Sequence, residues 1–495
     1  MGKPDSGWCL FLIVACGGLY AGLWSDGHNW GGDFAAYIMQ ATSIVNGSAD
    51  EFVVRNAFTV NQSSSPVGPV AYPWGFPLLL APVYSVFGMS LFAFKAVGLF
   101  FYLLFLVTLW FGFKPLLKPA ELVVFVALFA FNPAMLLFGD NILSDVPFLY
   151  FSTLSIVMLS RLNCSRSLKR EFVFRLILGA VIGAAFLVRT NGALLVLVYA
   201  VMGVLGSQKK IGSSAFERRL IASIPVVVFF LTVAIASLFL PDGQSSHFSH
   251  LSKISLWFLL HNFIYYAELL KEFFSPNAWR LQLGFVIYIL TIPVVVAAIR
   301  SAWRESVAML LYLFLTIVLY VAWPYQEGLR FIFPIIPIYI YFLIIGLRSF
   351  ALSIPSVGKW YMLPLAGLAF IFAVSTAYAV YQSQMSGRVI PQGPYTEQAV
   401  EMFAFIAHNT LEGDIVVFRK PRVMRLFTGR SSIRVDNVVE LPRGDLLVID
   451  RNNQTHQIGM LETQALLSDE TISSVFSNES FEIFRLKTKA ENSLP

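Results

Sequence analysis

Charged side chains recur at the ends of apolar segments in this chain of 495 residues. Four short stretches carry them: Trp30-Gly-Gly-Asp33, Gly139-Asp-Asn-Ile-Leu-Ser-Asp145, Arg189-Thr-Asn-Gly192 and Tyr325-Gln-Glu-Gly-Leu-Arg330. A charged group beside a membrane-spanning segment is costly unless it has a partner or a task. We therefore treat Asp33, Asp145, Arg189 and Arg330 as candidates for chemistry at one membrane surface.

These residue types suit the transfer of a group from a lipid-linked phosphate to a nucleophile. Arginine binds phosphate through two hydrogen bonds and keeps its charge in a half-buried site. A carboxylate can take a proton from a hydroxyl group or bind a divalent metal. A phosphate leaving group whose charge is neutralised needs no protonating acid, so one positioned base suffices.

Structural roles compete with these assignments. Asp140 and Asp145 are five positions apart and would not share a helix face, so we expect only one to reach a common site. Both also suit helix caps. Arg189 and Arg330 could anchor lipid headgroups instead, and Lys95 could be a packing partner within its span.

Composition predicts a polytopic helical membrane protein. Hydrophobic residues make up 57% of the chain, charged residues 13%, and the mean hydropathy is +0.69. Eleven apolar runs are candidate spans: 8–24, 77–111, 121–138, 147–160, 172–188, 193–206, 220–240, 281–299, 306–323, 331–347 and 361–381. Pro77, Pro82 and Gly88 predict that the second run is broken, with its true span starting near Leu91. The three cysteines have no disulfide or metal-site spacing.

The distribution of Lys and Arg predicts the orientation. Alternate connections are rich in basic residues, as at Arg161–Arg175 and Lys209–Arg219, and these are expected to be cytoplasmic together with the N-terminus. The other set, which contains loops 25–76, 139–146 and 241–280, is expected to be external. The predicted location is therefore the cytoplasmic (inner) membrane, with Asp33 and the C-terminal segment facing outward. The net charge of +6 is not taken as a sign of nucleic-acid binding.

The chain divides into a transmembrane domain, 1–384, and an external soluble α/β domain, 385–495. In the first loop, 33–46 has helical periodicity and is expected to lie along the membrane surface. The aromatic and polar loop 241–280, with His247, His250 and His261, predicts another interfacial helix. In the C-terminal domain we expect helices at 397–410 and 421–428, and strands at 414–419, 433–435, 446–449 and 481–486.

Five motifs in order resemble a known family. They are Gly-Gly-Asp33-Phe-x-x-Tyr37; Tyr72-Pro73-x-Gly75-x-Pro77; Asn132-Pro133 followed by Leu143-Ser-Asp145-x-Pro147; Leu187-x-Arg189-x-Asn-Gly192; and Arg330-Phe-x-x-Pro334-Ile-x-Pro337. Together they resemble bacterial membrane glycosyltransferases of the GT-C fold, relatives of protein O-mannosyltransferases and of the lipid A aminoarabinose transferase. The resemblance covers residues 1 to about 350.

The resemblance implies a polyprenyl-phosphate-linked sugar donor and transfer on the external face. It makes Asp33 the general base or a group that positions the acceptor and Asp145 the second-loop acid, and it assigns the donor phosphate to Arg189 and Arg330. Tyr37, Asp140 and Glu327 are further candidates for substrate binding. A divalent metal is left open, and no other cofactor is expected.

Two departures from the family pattern bear on specificity. Asp33 is followed by Phe34, whereas protein O-mannosyltransferases have an Asp-Glu pair. The aminoarabinose transferase has a phosphate-binding lysine near the end of the first loop, where this chain has Val70-Ala-Tyr72-Pro73, and Tyr72 is expected to take part of its role. The acceptor could be a lipid, a glycan or a protein. Three rival functions stay open: a transporter or flippase for lipid-linked sugars, a non-enzymatic scaffold with an external binding domain, and a related lipid-phosphate enzyme such as a ligase that joins whole oligosaccharides.

Overall fold

The structure, a computed structural model, describes residues 4–162, 167–204, 214–243, 255–275, 281–353, 358, 360–390, 392–453, 455–468 and 471–486. In chain order the helices are α1 (Pro4–Gly22), α2 (Gly32–Val45), α3 (Ala49–Gln62), α4 (Gly75–Phe87), α5 (Leu91–Phe113), α6 (Pro119–Ala130), α7 (Pro133–Leu137), α8 (Asp145–Leu159), α9 (Leu168–Val188), α10 (Ala193–Val204), α11 (Ala215–Phe239), α12 (Leu256–Phe273), α13 (Leu281–Ala302), α14 (Val307–Val321), α15 (Ile336–Ser353), α16 (Leu363–Met385), α17 (Glu397–Asn409), α18 (Pro421–Thr428) and α19 (Met460–Ser468). The strands are β1 (Ile415–Val417), β2 (Ser431–Ile433), β3 (Leu446–Asp450), β4 (Ile472–Ser477) and β5 (Phe481–Leu486).

The helices confirm a multi-pass membrane protein. Within the described ranges, six helices are long and apolar enough to cross a bilayer, and α6 with the segment Pro133–Asp140 forms a seventh candidate bent by 41°. The other apolar helices, α1, α4, α8, α10 and α14, are shorter. Every predicted span overlaps one of these helices, but the total of eleven crossings stays a prediction.

The break predicted in the second apolar run is present. α4 ends at Phe87, Gly88 adopts a positive φ of 60°, and α5 starts at Leu91. The Ser90 hydroxyl caps α5 by accepting a hydrogen bond from the Ala93 backbone N–H at 3.4 Å. A left-handed glycine followed by a side-chain cap ends one helix and starts the next.

The loop 25–76, which was predicted to be external, contains two helices, of which α3 was not predicted. α2 matches the predicted helix within one residue at each end, but protein covers much of it, because it packs against α4 on one side and α18 on the other. Phe34, Ile38 and Ala41 are fully buried. The expected position of this helix along the membrane surface stays a prediction, and the C-terminal domain packs on α2 through α18.

The predicted interfacial helix of loop 241–280 corresponds to α12. Its Trp257 is 75% exposed, as an interfacial aromatic residue would be in the absence of lipid. His261 on the same helix is exposed. His247 and His250 lie outside the described residues.

The C-terminal domain is a five-stranded mixed sheet with strand order β2-β1-β3-β5-β4. β1 is parallel to β2 and β3, and β5 is antiparallel to β3 and β4. α18 and β5 coincide with their predicted ranges, whereas β4 and α19 were not predicted. The half-exposed β4 has weak alternation, with Ile472 buried and the three residues after it exposed. The predicted α/β class is confirmed.

Trp30, in the connection between α1 and α2, anchors the C-terminal domain. Its indole lies among the rings of Phe403, Phe418 and Phe481, with centroid distances of 6.2, 5.7 and 6.0 Å. The Arg419 guanidinium lies 5.2 Å from the same indole. One hydrophobic cluster consequently runs from the helical bundle into the sheet. This docking holds the C-terminal domain above α2 and Asp33.

Candidate active site

Each of the four candidate charged residues sits where a helix begins, ends or changes direction. Asp33 lies in the first turn of α2 and Asp145 is the first residue of α8. Arg189 follows α9 in extended backbone, at φ −149° and ψ 132°. Arg330 lies in a 3₁₀ turn, Leu329–Phe331, that starts after Gly328 at φ +72°. Because these residues lie at helix ends, their side chains can converge from distant segments of the chain.

Arg330 joins the two acids. Its Nη1 atom lies 3.4 Å from Asp33 Oδ2 and 3.9 Å from Asp145 Oδ2. Asp145 also forms an ion pair with Arg189, and Arg330 forms one with Glu327. The residues predicted from separate spans therefore form one connected network. Asp145, only 4% exposed, is the common partner of both arginines.

Asp33 has a different environment from Asp145. A third of its side-chain surface is accessible, and its Oδ1 atom accepts a hydrogen bond from the Tyr72 hydroxyl at 2.6 Å. Burial by itself would raise the pKa of Asp33, but Arg330, Tyr72 and Arg422 together hold it below its ordinary value. Asp33 is therefore ionised at neutral pH. Burial, and then the charge of Asp33, raise the pKa of Tyr72, so this phenol stays a hydrogen-bond donor.

Aromatic rings support the charged groups. Phe331 has Arg189 at 5.1 Å and Arg330 at 5.8 Å from its ring centroid, distances typical of cation–π contacts. Tyr37 packs against Tyr72 with centroids 4.7 Å apart, and its hydroxyl bonds Ser144 Oγ at 2.9 Å. Tyr37 thus contributes a wall of the site, and Tyr72 contributes both a wall and a direct contact to Asp33.

Asp140 is not part of this network, and its predicted role in substrate binding stays a prediction. Its carboxylate accepts hydrogen bonds from Lys95 Nζ at 2.6 Å and from the Ser25 hydroxyl at 2.6 Å. Lys95, fully buried, also bonds the carbonyl oxygens of Ser25 and Gly27 at 2.8 Å. The short turn between Asp140 and Asp145 directs the two carboxylates to different partners. Asp140 fixes the start of the first external loop.

The network lines a cavity of about 1200 Å³. Asp33, Asp145, Arg189, Glu327 and Arg330 all contribute to its wall. Four further basic residues line the cavity and were not predicted from the sequence. All belong to the C-terminal domain: Arg419, Lys420, Arg422 and Arg434. The sequence feature that could have identified them is the basic run Arg419-Lys-Pro-Arg422 at the end of a predicted strand. Nothing local to that run indicated that it faces the membrane domain.

The donor atoms do not fit a protein-held metal ion. Across the described segments, no three His, Cys, Asp or Glu side chains are grouped so that they could hold one. Arg330 contacts both Asp33 and Asp145, and cations surround them. These carboxylates therefore already have positively charged partners, and we assign no step of the reaction to a metal ion.

The fold is similar to that of several solved structures. ArnT from Cupriavidus metallidurans bound to undecaprenyl phosphate aligns with a TM-score of 0.62 and 12% identity over 97% of this chain and 98% of that one. Its apo state gives a TM-score of 0.60 and 13% identity over the same shares. The oligosaccharyltransferase AglB from Archaeoglobus fulgidus, in complex with an inhibitory peptide and a dolichol-phosphate, gives 0.56 and 11% over 99% and 75% of the two chains.

No protein-family model matches the sequence, and no curated protein matches it as a relative. Both kinds of structural neighbour are membrane glycosyltransferases of the GT-C fold. The similarity extends over nearly the whole chain, including the C-terminal domain. The chain therefore has the GT-C fold, as its motifs predicted.

Proposed function

We propose that this membrane protein is a glycosyltransferase that moves one sugar from a polyprenyl-phosphate donor to an acceptor outside the cytoplasmic membrane. The observation that carries the proposal is the position of Arg330 between Asp33 and Asp145 on the wall of one cavity. A base and phosphate-binding cations lie within a few ångströms of each other there. The undecaprenyl phosphate and dolichol-phosphate bound to structural neighbours support the donor class.

Arg189 and Arg330 bind the phosphate of the donor in this proposal. Both guanidinium groups are held by Asp145 and backed by Phe331, so they are oriented before a ligand arrives. Preorganised cations aimed at a leaving group act without reorganisation cost at the moment of reaction. The developing negative charge on the phosphate is neutralised without a protonating acid.

Asp33 is the general base. Its carboxylate takes the proton of the acceptor hydroxyl while the acceptor oxygen bonds the anomeric carbon of the sugar. The bond from that carbon to the phosphate oxygen breaks, and its electron pair leaves with the polyprenyl phosphate. Because the hydroxyl attacks from the side opposite the phosphate, a single displacement inverts the anomeric configuration. One base therefore completes the reaction.

Arg330 couples donor binding to the strength of this base. In the free protein it is one of the groups that lower the pKa of Asp33. A donor phosphate competes for the same guanidinium, and drawing it away weakens its interaction with Asp33. The carboxylate then regains basicity and an open acceptor site. Asp33 becomes an effective base only when the donor is in place.

The position of the charged groups favours this proposal over a transporter. Transporters commonly place substrate groups and broken helices near the bilayer midplane. Here the network lies at helix ends, and Lys95, a buried cation within a span, is ion-paired with Asp140. The external location rests on the distribution of Lys and Arg among the connections.

The test uses proteoliposomes that contain the purified full-length protein and radiolabelled polyprenyl-phosphate sugars. A glycosyltransferase cleaves the sugar–phosphate bond, so free polyprenyl phosphate and labelled product accumulate in the presence of a membrane extract that supplies acceptors. A flippase moves labelled lipid between leaflets with no cleavage. Movement without cleavage for every donor tested would refute the proposal.

A further inference from the structure

The cavity wall carries more positive than negative charge. Six basic and four acidic side chains line it. Most of the charges are paired: Asp145 with Arg189 and Arg330, Arg330 with Asp33 and Glu327, Arg419 with Asp450, and Arg434 with Asp436. Among the described residues, the lining groups outside any ion pair are Lys420, Arg422 and Asp242. Two of these three are cations on the same element.

Lys420 and Arg422 flank Pro421 at the start of α18. Lys420 is half-buried, and within the described part of the chain its ammonium group has no hydrogen bond or ion pair. Arg422, only 1% exposed, bonds neutral oxygens: the Tyr72 hydroxyl at 3.4 Å and the Pro69 carbonyl. Its Nε atom is buried without a hydrogen-bond partner. A buried guanidinium without a carboxylate is costly, so both cations favour a bound anion.

The Tyr72 hydroxyl connects this cationic pair to the base. It donates a hydrogen bond to Asp33 Oδ1 at 2.6 Å and accepts one from Arg422 Nη1 at 3.4 Å. The other oxygen of Asp33, Oδ2, faces Arg330 at 3.4 Å. One oxygen of Asp33 therefore contacts Arg330, and the other is linked through Tyr72 to Arg422.

We propose that Lys420 and Arg422 bind a negatively charged group of the acceptor, a phosphate or a carboxylate, close to the hydroxyl that Asp33 activates. This inference rests on the proposed function and names the acceptor class: a molecule with an anionic group beside its acceptor hydroxyl. The donor phosphate already has Arg189 and Arg330. Burial, with the neighbouring charges of Arg419 and Arg434, lowers the pKa of Lys420, and a bound anion would stabilise its charged form.

The first measurement asks whether a second anion binds. Full-length protein in lipid nanodiscs is saturated with undecaprenyl phosphate and titrated with glycerol 1-phosphate, with glucuronate, and with uncharged glycerol at constant ionic strength. We expect at least one anion to bind and glycerol not to bind. The tighter of the two anions tells whether the acceptor group is a phosphate or a carboxylate. If neither anion binds wild-type protein, the proposal is overturned.

Substitutions then locate the site. Lys420→Gln and Arg422→Gln should each weaken anion binding by about tenfold or more, the usual effect of losing a charged hydrogen bond. Arg422→Lys, which keeps the charge, should retain part of the affinity and shows that the domain still folds. The matched control is Arg485→Gln, on the exposed side of β5 and outside the cavity. Equal loss in the control would contradict the assignment.

The second measurement separates the acceptor from the donor. Binding of undecaprenyl phosphate to the protein without added anion should be unchanged in Lys420→Gln and Arg422→Gln, and weakened in Arg330→Gln. If the first two variants lose undecaprenyl phosphate as Arg330→Gln does, these cations serve the donor and the inference fails. Neither binding assay needs turnover, so a negative transfer assay would refute the proposed function without deciding this one.

Discussion

Arg330 Nη1 lies 3.4 Å from Asp33 Oδ2, although the two residues are 297 positions apart in the chain. The same nitrogen lies 3.9 Å from Asp145. Asp145 is buried and has two arginine partners, whereas Asp33 faces the cavity and has one. Our proposal therefore gives the two acids different tasks: Asp145 orients cations, and Asp33 is available to a reactant.

Asp33→Asn should reduce transfer by about 10²–10⁴-fold, the usual contribution of a general base. The amide has nearly the same shape and can still accept the Tyr72 hydrogen bond, so undecaprenyl phosphate binding should persist. Initial transfer rates and lipid-binding isotherms for the same preparation measure the two effects. Asp50→Asn, at an exposed position of α3, is the matched control. Near-normal transfer by Asp33→Asn would contradict the assigned role.

Arg330→Gln should move the acidic limb of the pH–rate profile to higher pH. Arg330 lowers the pKa of Asp33, so its removal raises that pKa, and the carboxylate is lost to protonation at a higher pH than in wild type. Arg330→Lys keeps a positive charge and should shift the limb less. Profiles of kcat/KM against pH for the three proteins provide the test. A limb that moves to lower pH would be inconsistent with the contact between Arg330 and Asp33.

Transfer should not depend on an added divalent metal. The arginines neutralise the phosphate in our proposal, and the carboxylates that could bind a metal contact Arg330 instead. Treatment with EDTA, followed by gel filtration, should leave the initial rate unchanged. A loss of rate that Mg²⁺ or Mn²⁺ restores would show that a metal ion does act in the reaction.

The sequence predicted the central network because its members share one simple property. Asp33, Asp145, Arg189 and Arg330 all lie at the ends of apolar segments on the side poor in basic residues. Segments that cross a membrane must bring such ends to one surface, so their convergence follows from topology. Their chemical roles stay predictions, while their proximity is a property of the structure.

Other features depended on tertiary contacts that local patterns do not encode. Asp140 and Asp145 have similar surroundings in the sequence, and only the packing of Lys95 against Asp140 separates them. Lys420 and Arg422 reach the cavity because Trp30 fixes the C-terminal domain over α2. A basic run after a strand reads as a surface feature until the docking of its domain is known.

His28 should make stability depend on pH. Its Nε2 atom accepts a hydrogen bond from the Ile142 N–H at 3.1 Å, so Nδ1 carries the proton and bonds the Asn29 carbonyl at 3.0 Å. Burial, aided by the charge of Lys95, lowers the pKa of His28 from 6.5 to about 4. The neutral ring is favoured in the folded protein, and the unfolded chain binds more protons between these values. Stability is therefore full above pH 6.5 and decreases as the pH falls toward 4.

The size of this effect is set by about 1.4 kcal/mol per unit of pKa difference. Thermal unfolding of the detergent-solubilised protein across the same pH range measures it. His28→Gln can still accept the Ile142 hydrogen bond and should show a shallower decrease than wild type. His408→Gln, exposed on α17, should keep the wild-type dependence. Equal slopes for all three proteins would mean that His28 is not buried in its neutral form.

The ion pair of Lys95 and Asp140 should be the strongest polar stabilisation of the first external loop. Lys95 Nζ has Asp140, the Ser25 carbonyl and the Gly27 carbonyl within 2.8 Å, so its removal takes one donor from each of three oxygens and the counter-charge from Asp140. Breaking a buried pair from one side typically costs about 3–5 kcal/mol. Lys95→Met should accordingly lower the unfolding temperature, and the loop that carries Asp33 should become more sensitive to protease.

The double variant Lys95→Met with Asp140→Asn separates the pair from its surroundings. Asp140→Asn removes the uncompensated charge, so the double variant should be more stable than Lys95→Met alone, and the coupling between the two substitutions should be positive. Binding of undecaprenyl phosphate should match wild type in Lys95→Met, Asp140→Asn and the double variant, because neither residue lines the cavity. Binding is measured well below the unfolding temperature of each variant. If Asp140→Asn alone abolishes lipid binding while the fold is intact, Asp140 contacts the donor and its separation from the active site is wrong.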